Sequence, residues 1–105
     1  MEAAIRQAIG EAYTGVGEYQ LAASHLERAL TLRKVNLGAD HLLTLRSMYS
    51  LGIVYMNIVR PDDARALFEE VVRLRREKLG PDHRDTLESQ LVIAPMRGVK
   101  TSLLS

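Results

Sequence analysis

The chain repeats itself. The run Leu37-Gly38-Ala39-Asp40-His41-Leu42-Leu43-Thr44-Leu45-Arg46-Ser47 returns 42 positions later as Leu79-Gly80-Pro81-Asp82-His83-Arg84-Asp85-Thr86-Leu87-Glu88-Ser89. Laying residues 9–50 on 51–92 at this offset matches thirteen residues. They are Gly10/Gly52, Tyr13/Tyr55, Ala22/Ala64, Glu27/Glu69, Leu32/Leu74, Arg33/Arg75, Leu37/Leu79, Gly38/Gly80, Asp40/Asp82, His41/His83, Thr44/Thr86, Leu45/Leu87 and Ser47/Ser89. Average composition would match about two or three by chance. A period of this length restricts the fold strongly, because each unit is one supersecondary element that must stack on its neighbour to bury an apolar face.

Each unit reads as two helices. In the second unit Leu45, Met48, Leu51, Gly52 and Tyr55 recur at the i, i+3, i+4 spacing of one helix face. Arg60-Pro61-Asp62-Asp63 then breaks the chain and restarts it, and a proline is tolerated in a first helical turn. Ala64, Leu67, Phe68, Val71, Val72 and Leu74 form the apolar stripe of a second helix over about 62–79. Asp62 and Asp63 stand at its positive end, where N-terminal capping accounts for them, and Arg73, Arg75, Arg76 and Lys78 stand toward its negative end. Gly80 and Pro81 stop it. The first unit follows the same plan, with one helix over about 2–15, a Gly15-Val16-Gly17 turn, and a second helix from near Glu18 to Leu37 stopped by Gly38. A fifth helix is expected to start at Asp85 or Thr86. Short connections make neighbours antiparallel.

Composition agrees with stacked helices rather than one large-residue core. Hydrophobic residues make up 47% of the chain, but only four Tyr and one Phe are aromatic and there is no Trp. Fourteen Lys and Arg against thirteen Asp and Glu leave a net charge of +1, without the excess a nucleic-acid binder uses against phosphates. No cysteine is present, so neither disulfides nor thiolate ligands enter. No apolar run approaches the roughly 20 residues of a membrane span. The start Met1-Glu2-Ala3-Ala4-Ile5-Arg6 lacks the basic and apolar blocks of a signal peptide, so the expected location is the cytoplasm.

The pattern resembles the tetratricopeptide repeat (TPR) family. That motif sets a small residue and then a Tyr in helix A, a turn Gly, and a small residue, a large residue and a second small residue in helix B. The first unit supplies Gly10, Tyr13, Gly17, Ala22, Leu26 and Ala29; the second supplies Gly52, Tyr55, Ala64, Phe68 and Val71, with Val59 replacing the turn Gly. The period exceeds the common one of about 34 residues. With the linker Leu-Gly-x-Asp-His-x-x-Thr it looks like the kinesin-light-chain type. The resemblance implies an all-α fold: antiparallel helix pairs in a short right-handed α-solenoid, with two units and a partial third. The units run over about 2–43, 44–85 and 86–94, within a repeat domain of residues 1–94, and a divergent tail follows over 95–105, where Pro95 ends or kinks the last helix.

What the resemblance implies about function is a protein-binding scaffold without catalysis or cofactor, holding a partner peptide or helix on the concave face lined by helix A. Carried onto this chain, that face holds Gln7, Glu11 and Thr14 of the first helix A. The second contributes Arg46, Tyr49, Ser50, Ile53, Met56 and Asn57, and the third Glu88 and Leu91. Kinesin-light-chain-like repeats carry an Asn-Asn pair in helix A, but the matching positions here are Gln7-Ala8, Tyr49-Ser50 and Leu91-Val92. The asparagine ladder is missing, which favours apolar contact or self-association. The competing expectations are a structural unit that assembles through uncapped repeat ends, and a non-catalytic piece of a kinase-linked signalling protein.

Other candidate sites reduce to structure. His41 and His83 sit one repeat apart, roughly 15–20 Å for stacked helix pairs, so they do not converge on a metal and instead suit hydrogen bonding within their linkers. His25 is expected at a surface or partly packed position. The Arg73–Lys78 cluster interleaves with Glu69, Glu70 and Glu77 and reads as a solvated helix face. No Gly-rich phosphate loop, nucleophile elbow or zinc-binding His pair occurs.

Overall fold

The computed structural model describes residues 1–93, so the expectations for Pro95 and the 95–105 tail lie outside the described residues. Five helices follow one another: α1 (Glu2–Gly15), α2 (Tyr19–Leu37), α3 (Leu42–Asn57), α4 (Pro61–Leu79) and α5 (Arg84–Ile93). Among the described residues there is no strand. α1 packs on α2, α3 on both α2 and α4, and α5 on α4. The result is a short all-α solenoid in which helix pairs stack in chain order.

Ala22, Leu26, Leu45, Val54, Ala64, Phe68 and Val71 are fully buried between the layers. Two glycines set how closely the paired helices approach. A Cβ on Gly10 would lie 2.5 Å from Leu26 Cγ, and one on Gly52 would lie 2.7 Å from Phe68 Cε1. Both helix pairs therefore close at a point where no side chain fits. Tyr55 is buried beside this crossing, while Tyr13 is half-buried and stacks on His25 at 5.7 Å.

The turns repeat as faithfully as the helices. α1 and α3 both end in a bond from the residue after the turn back to the Tyr of helix A: Glu18 N–H to Tyr13 O and Arg60 N–H to Tyr55 O, each 2.9 Å. This is the Schellman closure, which needs a left-handed residue just past the helix end. Gly17 supplies it at φ 82°, and Val59 is held there at φ 59°. The Arg60 guanidinium lies 4.1 Å from the centre of the Tyr55 ring, so side chains reinforce the same closure. In the two linkers His41 Nδ1 accepts Leu43 N–H and His83 Nδ1 accepts Asp85 N–H, both at 3.0 Å. The paired histidines thus cap the first turns of α3 and α5, the linker role expected of them.

One local expectation is corrected. Asp62 and Asp63 do not cap α4, because the helix begins at Pro61 and the cap residue is Arg60, with no side-chain cap bond. The chain enters the helix one residue earlier than the acidic pair suggested, which places both carboxylates inside the first turn. There they favour the positive helix end, and Asp63 Oδ2 accepts from Arg60 Nε at 2.8 Å. α5 likewise starts at Arg84, one residue ahead of Asp85.

Candidate functional site

The face shared by α1 and α3 is built on a buried polar layer. Arg33 of α2 is 5% exposed and reaches between the two helices. Its Nη1 donates to Ser47 Oγ at 3.0 Å, Leu43 O at 3.1 Å and Gln7 Oε1 at 3.4 Å. Ser47 Oγ donates to Gln7 Oε1 at 2.7 Å, and Gln7 Nε2 donates to Glu11 Oε2 at 2.8 Å and Ser50 Oγ at 3.0 Å. Burial, then repulsion from Arg46, pulls the Arg33 guanidinium below its ordinary value, while Glu11 offsets part of this. A buried cation held by neutral acceptors in this way fixes the spacing of three helices.

This layer corrects the placement of Gln7, which was expected to face outward. Gln7 is 2% exposed, because its amide is the central connector of the network beneath the face and is drawn inward by Arg33 and Ser47.

Above the layer, Arg46 of α3 forks onto Glu11 of α1, with Nε–Oε2 at 3.1 Å and Nη2–Oε1 at 2.8 Å. Burial pushes the Glu11 carboxyl up, but the hydrogen bonds from Arg46 and Gln7 and the Arg46 charge outweigh it and leave Glu11 below the usual carboxylate range. Beside this bridge lies a small pocket of about 140 Å³ lined by Glu11, Thr14, Tyr49, Ser50 and Ile53. Five of the eleven predicted face residues therefore meet in one place. Tyr49 is half-buried, edge-on to Phe68 at 5.6 Å, with the Arg75 guanidinium 5.2 Å from its ring centre. Burial and then the Glu88 carboxylate push its phenol up, against a smaller opposite pull from Arg75.

Met56, Asn57, Glu88 and Leu91 are accessible but not gathered in the pocket. Met56 is 45% exposed and Leu91 75%; Glu88 is exposed on α5. Asn57 Nδ2 donates to Ile53 O at 2.8 Å and Thr14 Oγ1 to Gly10 O at 2.8 Å, so both polar groups are engaged by their own helices.

Two clusters escaped the sequence reading. The first is the Arg33 layer, whose counterpart one repeat on is Arg75 Nη1 donating to Ser89 Oγ at 2.5 Å and Asp85 O at 3.3 Å. The second is a cleft of about 360 Å³ between α2 and α4, where Tyr55 donates to Glu27 and Arg60 bridges to Asp63. Arg33/Arg75, Ser47/Ser89 and Tyr13/Tyr55 all stand among the thirteen repeated residues, so the signal was present; what was absent was the pairing across helices. No group of three or more His, Cys, Asp or Glu side chains gathers as a metal site among the described residues. Among them no helix is long and apolar enough to cross a membrane.

Antiparallel helix pairs, stacked so that alternate helices share one face over a spacing layer that recurs from one unit to the next, define the class of helical-repeat scaffolds. A tetratricopeptide repeat model matches residues 1–57, more than half of the chain, and a second matches residues 44–85. The chain belongs to the tetratricopeptide repeat family, whose repeats are generally non-catalytic modules for protein–protein interaction. Its solved neighbours are of the kinesin-light-chain-like type. One is the crystal structure of the nearly identical TPR-like repeats of a provisionally assigned kinesin light chain from Podosopora anserina, with a TM-score of 0.81 and 22% identity over 99% of this chain and 50% of that one. A single-substitution variant of the same repeats gives a TM-score of 0.79 and 24% identity over 94% and 47%. At these identities the likeness concerns the fold, and the chain spans about half the length of these neighbours. No curated protein matches it.

Proposed function

We propose that the chain is a protein-binding scaffold, without catalysis, whose partner seats on the α1–α3 face and extends toward α5. The observation that carries this reading is the pocket of about 140 Å³ where Glu11, Thr14, Tyr49, Ser50 and Ile53 converge from two helices. An aromatic ring and an aliphatic side chain at its wall suit an apolar anchor from the partner, and such anchors dominate binding energy. Glu11 and Arg46 at the rim are paired with each other, so polar groups there orient a bound segment more than they attract it. Met56 and Leu91 continue the apolar surface beyond the pocket. Thr14 and Asn57 each already donate one hydrogen bond to a carbonyl of their own helix, consistent with a mode different from the Asn ladder. The same reading takes the partner to be a cytoplasmic protein and the repeat domain to span residues 1–94.

The test is selection of binders from a displayed peptide library on the purified chain, followed by titration against Tyr49→Ala and Ile53→Asp. Selected peptides are expected to carry an apolar anchor and to bind each variant at least about tenfold more weakly, the loss of one well-packed anchor contact. Peptides that bind both variants as well as the parent chain would place the partner elsewhere and sink the reading.

A further inference from the structure

The bridge between neighbouring A helices is made at one junction and missing at the next. At the first, Arg46 of α3 reaches back to α1 and holds both oxygens of Glu11, at 3.1 and 2.8 Å. One repeat on, the same two positions are Glu88 of α5 and Ile53 of α3. Glu88 therefore has an isoleucine where its counterpart has a carboxylate. Its own carboxylate makes no ion pair or side-chain hydrogen bond among the described residues. Because the bridge runs to the preceding helix A, its absence follows from Ile53 and not from what lies beyond residue 93.

The other charges of this face are already engaged. Glu11 and Arg46 hold each other, and the Arg75 guanidinium donates to Ser89 Oγ and Asp85 O in the layer beneath. Of the two charges acting on the Tyr49 phenol, Glu88 raises its pKa more than Arg75 lowers it, so the sign over that ring is the carboxylate's. Tyr49 is also a wall of the pocket of about 140 Å³, together with Ile53 one turn further along the same helix. One ring thus joins an apolar pocket to an unpaired negative charge. A bound segment that carried a carboxylate toward α5 would bring like charges together, and a wholly apolar one would take water from Glu88 without replacing it. A lysine or arginine meets both demands, with its stem along Ile53 and Tyr49 and its charged head at Glu88.

We propose that the partner is a basic segment, with an apolar anchor in the pocket between Glu11 and Ile53 and, close to it in sequence on the α5 side, a lysine or arginine paired with Glu88. This rests on the α1–α3 face being the docking surface, and adds the charge of the partner and its direction across the array. The anchor lies over the first junction and the cation over the second. An exposed rim charge contributes selectivity and salt dependence more than affinity.

The experiment selects binders from a displayed peptide library on the parent chain and on Glu88→Lys, then titrates them against the parent, Glu88→Gln, Glu88→Lys and Tyr49→Ala. Because Glu88 is exposed and unpaired, both of its variants should keep the circular dichroism and melting temperature of the parent. Peptides selected on the parent should be enriched in lysine or arginine beside an apolar anchor. They should bind Glu88→Gln about two- to fivefold more weakly, a loss that high salt removes, and Glu88→Lys at least about tenfold more weakly. Selection on Glu88→Lys should return aspartate or glutamate beside the same anchor, and exchanging the basic residue of a parent-selected peptide for glutamate should restore its binding to that variant. Peptides that lose affinity for Tyr49→Ala but show no basic enrichment, tolerate Glu88→Lys or fail the charge exchange overturn the proposal and leave the docking face standing. Peptides indifferent to Tyr49→Ala would sink the docking face, and the proposal with it.

Discussion

Val59 is a β-branched residue held where its counterpart is a glycine. The two turns close with the same bond, Glu18 N–H to Tyr13 O and Arg60 N–H to Tyr55 O, and their left-handed residues are Gly17 at φ 82° and Val59 at φ 59°. For a residue with a Cβ that conformation costs about 1–2 kcal/mol. Val59 is 85% exposed, so removing its side chain forfeits little burial. Glycine raises the entropy of the unfolded chain and gives back about 0.4–1 kcal/mol. Val59→Gly should therefore stabilise the chain by about 0.5–1 kcal/mol, a rise of roughly 2–8 °C in melting temperature for a domain of this size. The reverse exchange, Gly17→Val, should lower stability by a similar amount. Thermal and urea unfolding followed by circular dichroism measure both. If Val59→Gly lowered the midpoint, or if Gly17→Val left it unchanged, the Schellman turn would not be the conformation held in solution, and the strain argument would fail with it.

Three further outcomes follow from the packing. Gly52→Ala would set a methyl 2.7 Å from a Phe68 ring that is fully buried, and urea unfolding should show a loss of about 1–3 kcal/mol, whereas Gly15→Ala, with no atom within 4 Å, should not destabilise. Arg33→Met keeps the aliphatic stem but leaves Leu43 O without its Arg33 donor and removes one from Gln7 Oε1, costing about 1–3 kcal/mol by the same assay; no loss would mean the buried layer is not a spacer. Tyr55→Phe removes the bond to Glu27 and should cost about 1 kcal/mol. Burial and then that bond push the Tyr55 phenol up to about 12 from an ordinary 10.0. Its folded value is raised, so its contribution is complete below pH 10 and lost as pH rises toward 12, and the gap between parent and variant should shrink across that window.

Helices and turns were legible in the sequence because their determinants are local. Gly38 and Gly80 stop helices where they stand at φ 99° and 95°, and the repeated Gly10 and Gly52 mark the close crossings. The surface was less legible. Gln7 reads as an outward position on its own helix, and only the arrival of Arg33 from α2 turns it into a buried connector. Asp62 and Asp63 look like caps because acidic residues suit either the cap or the first turn, and the choice depends on where Pro61 enters. In both cases the missing information is a contact between residues 26 apart or a shift of one position, neither of which a spacing rule contains.

The thirteen repeated residues also divide structure from recognition. Arg33 and Arg75, Ser47 and Ser89, and His41 and His83 do the same job in both units, spacing layers or capping a helix. At the face the sequence does the opposite. Position 7 and its successors are Gln7, Tyr49 and Leu91; Glu11 gives way to Ile53, and Arg46 to Glu88. The Glu11–Arg46 bridge that spans the first junction thus has Ile53 and Glu88 in its place at the second, where no ion pair can form between them. A partner crossing the array would meet a salt-bridged rim over the first unit and an apolar, carboxylate-edged surface over the second. A binding preference along the array is expected to follow this asymmetry, since the repeated Arg33/Arg75, Ser47/Ser89 and His41/His83 pairs are already committed to spacing layers or capping helices.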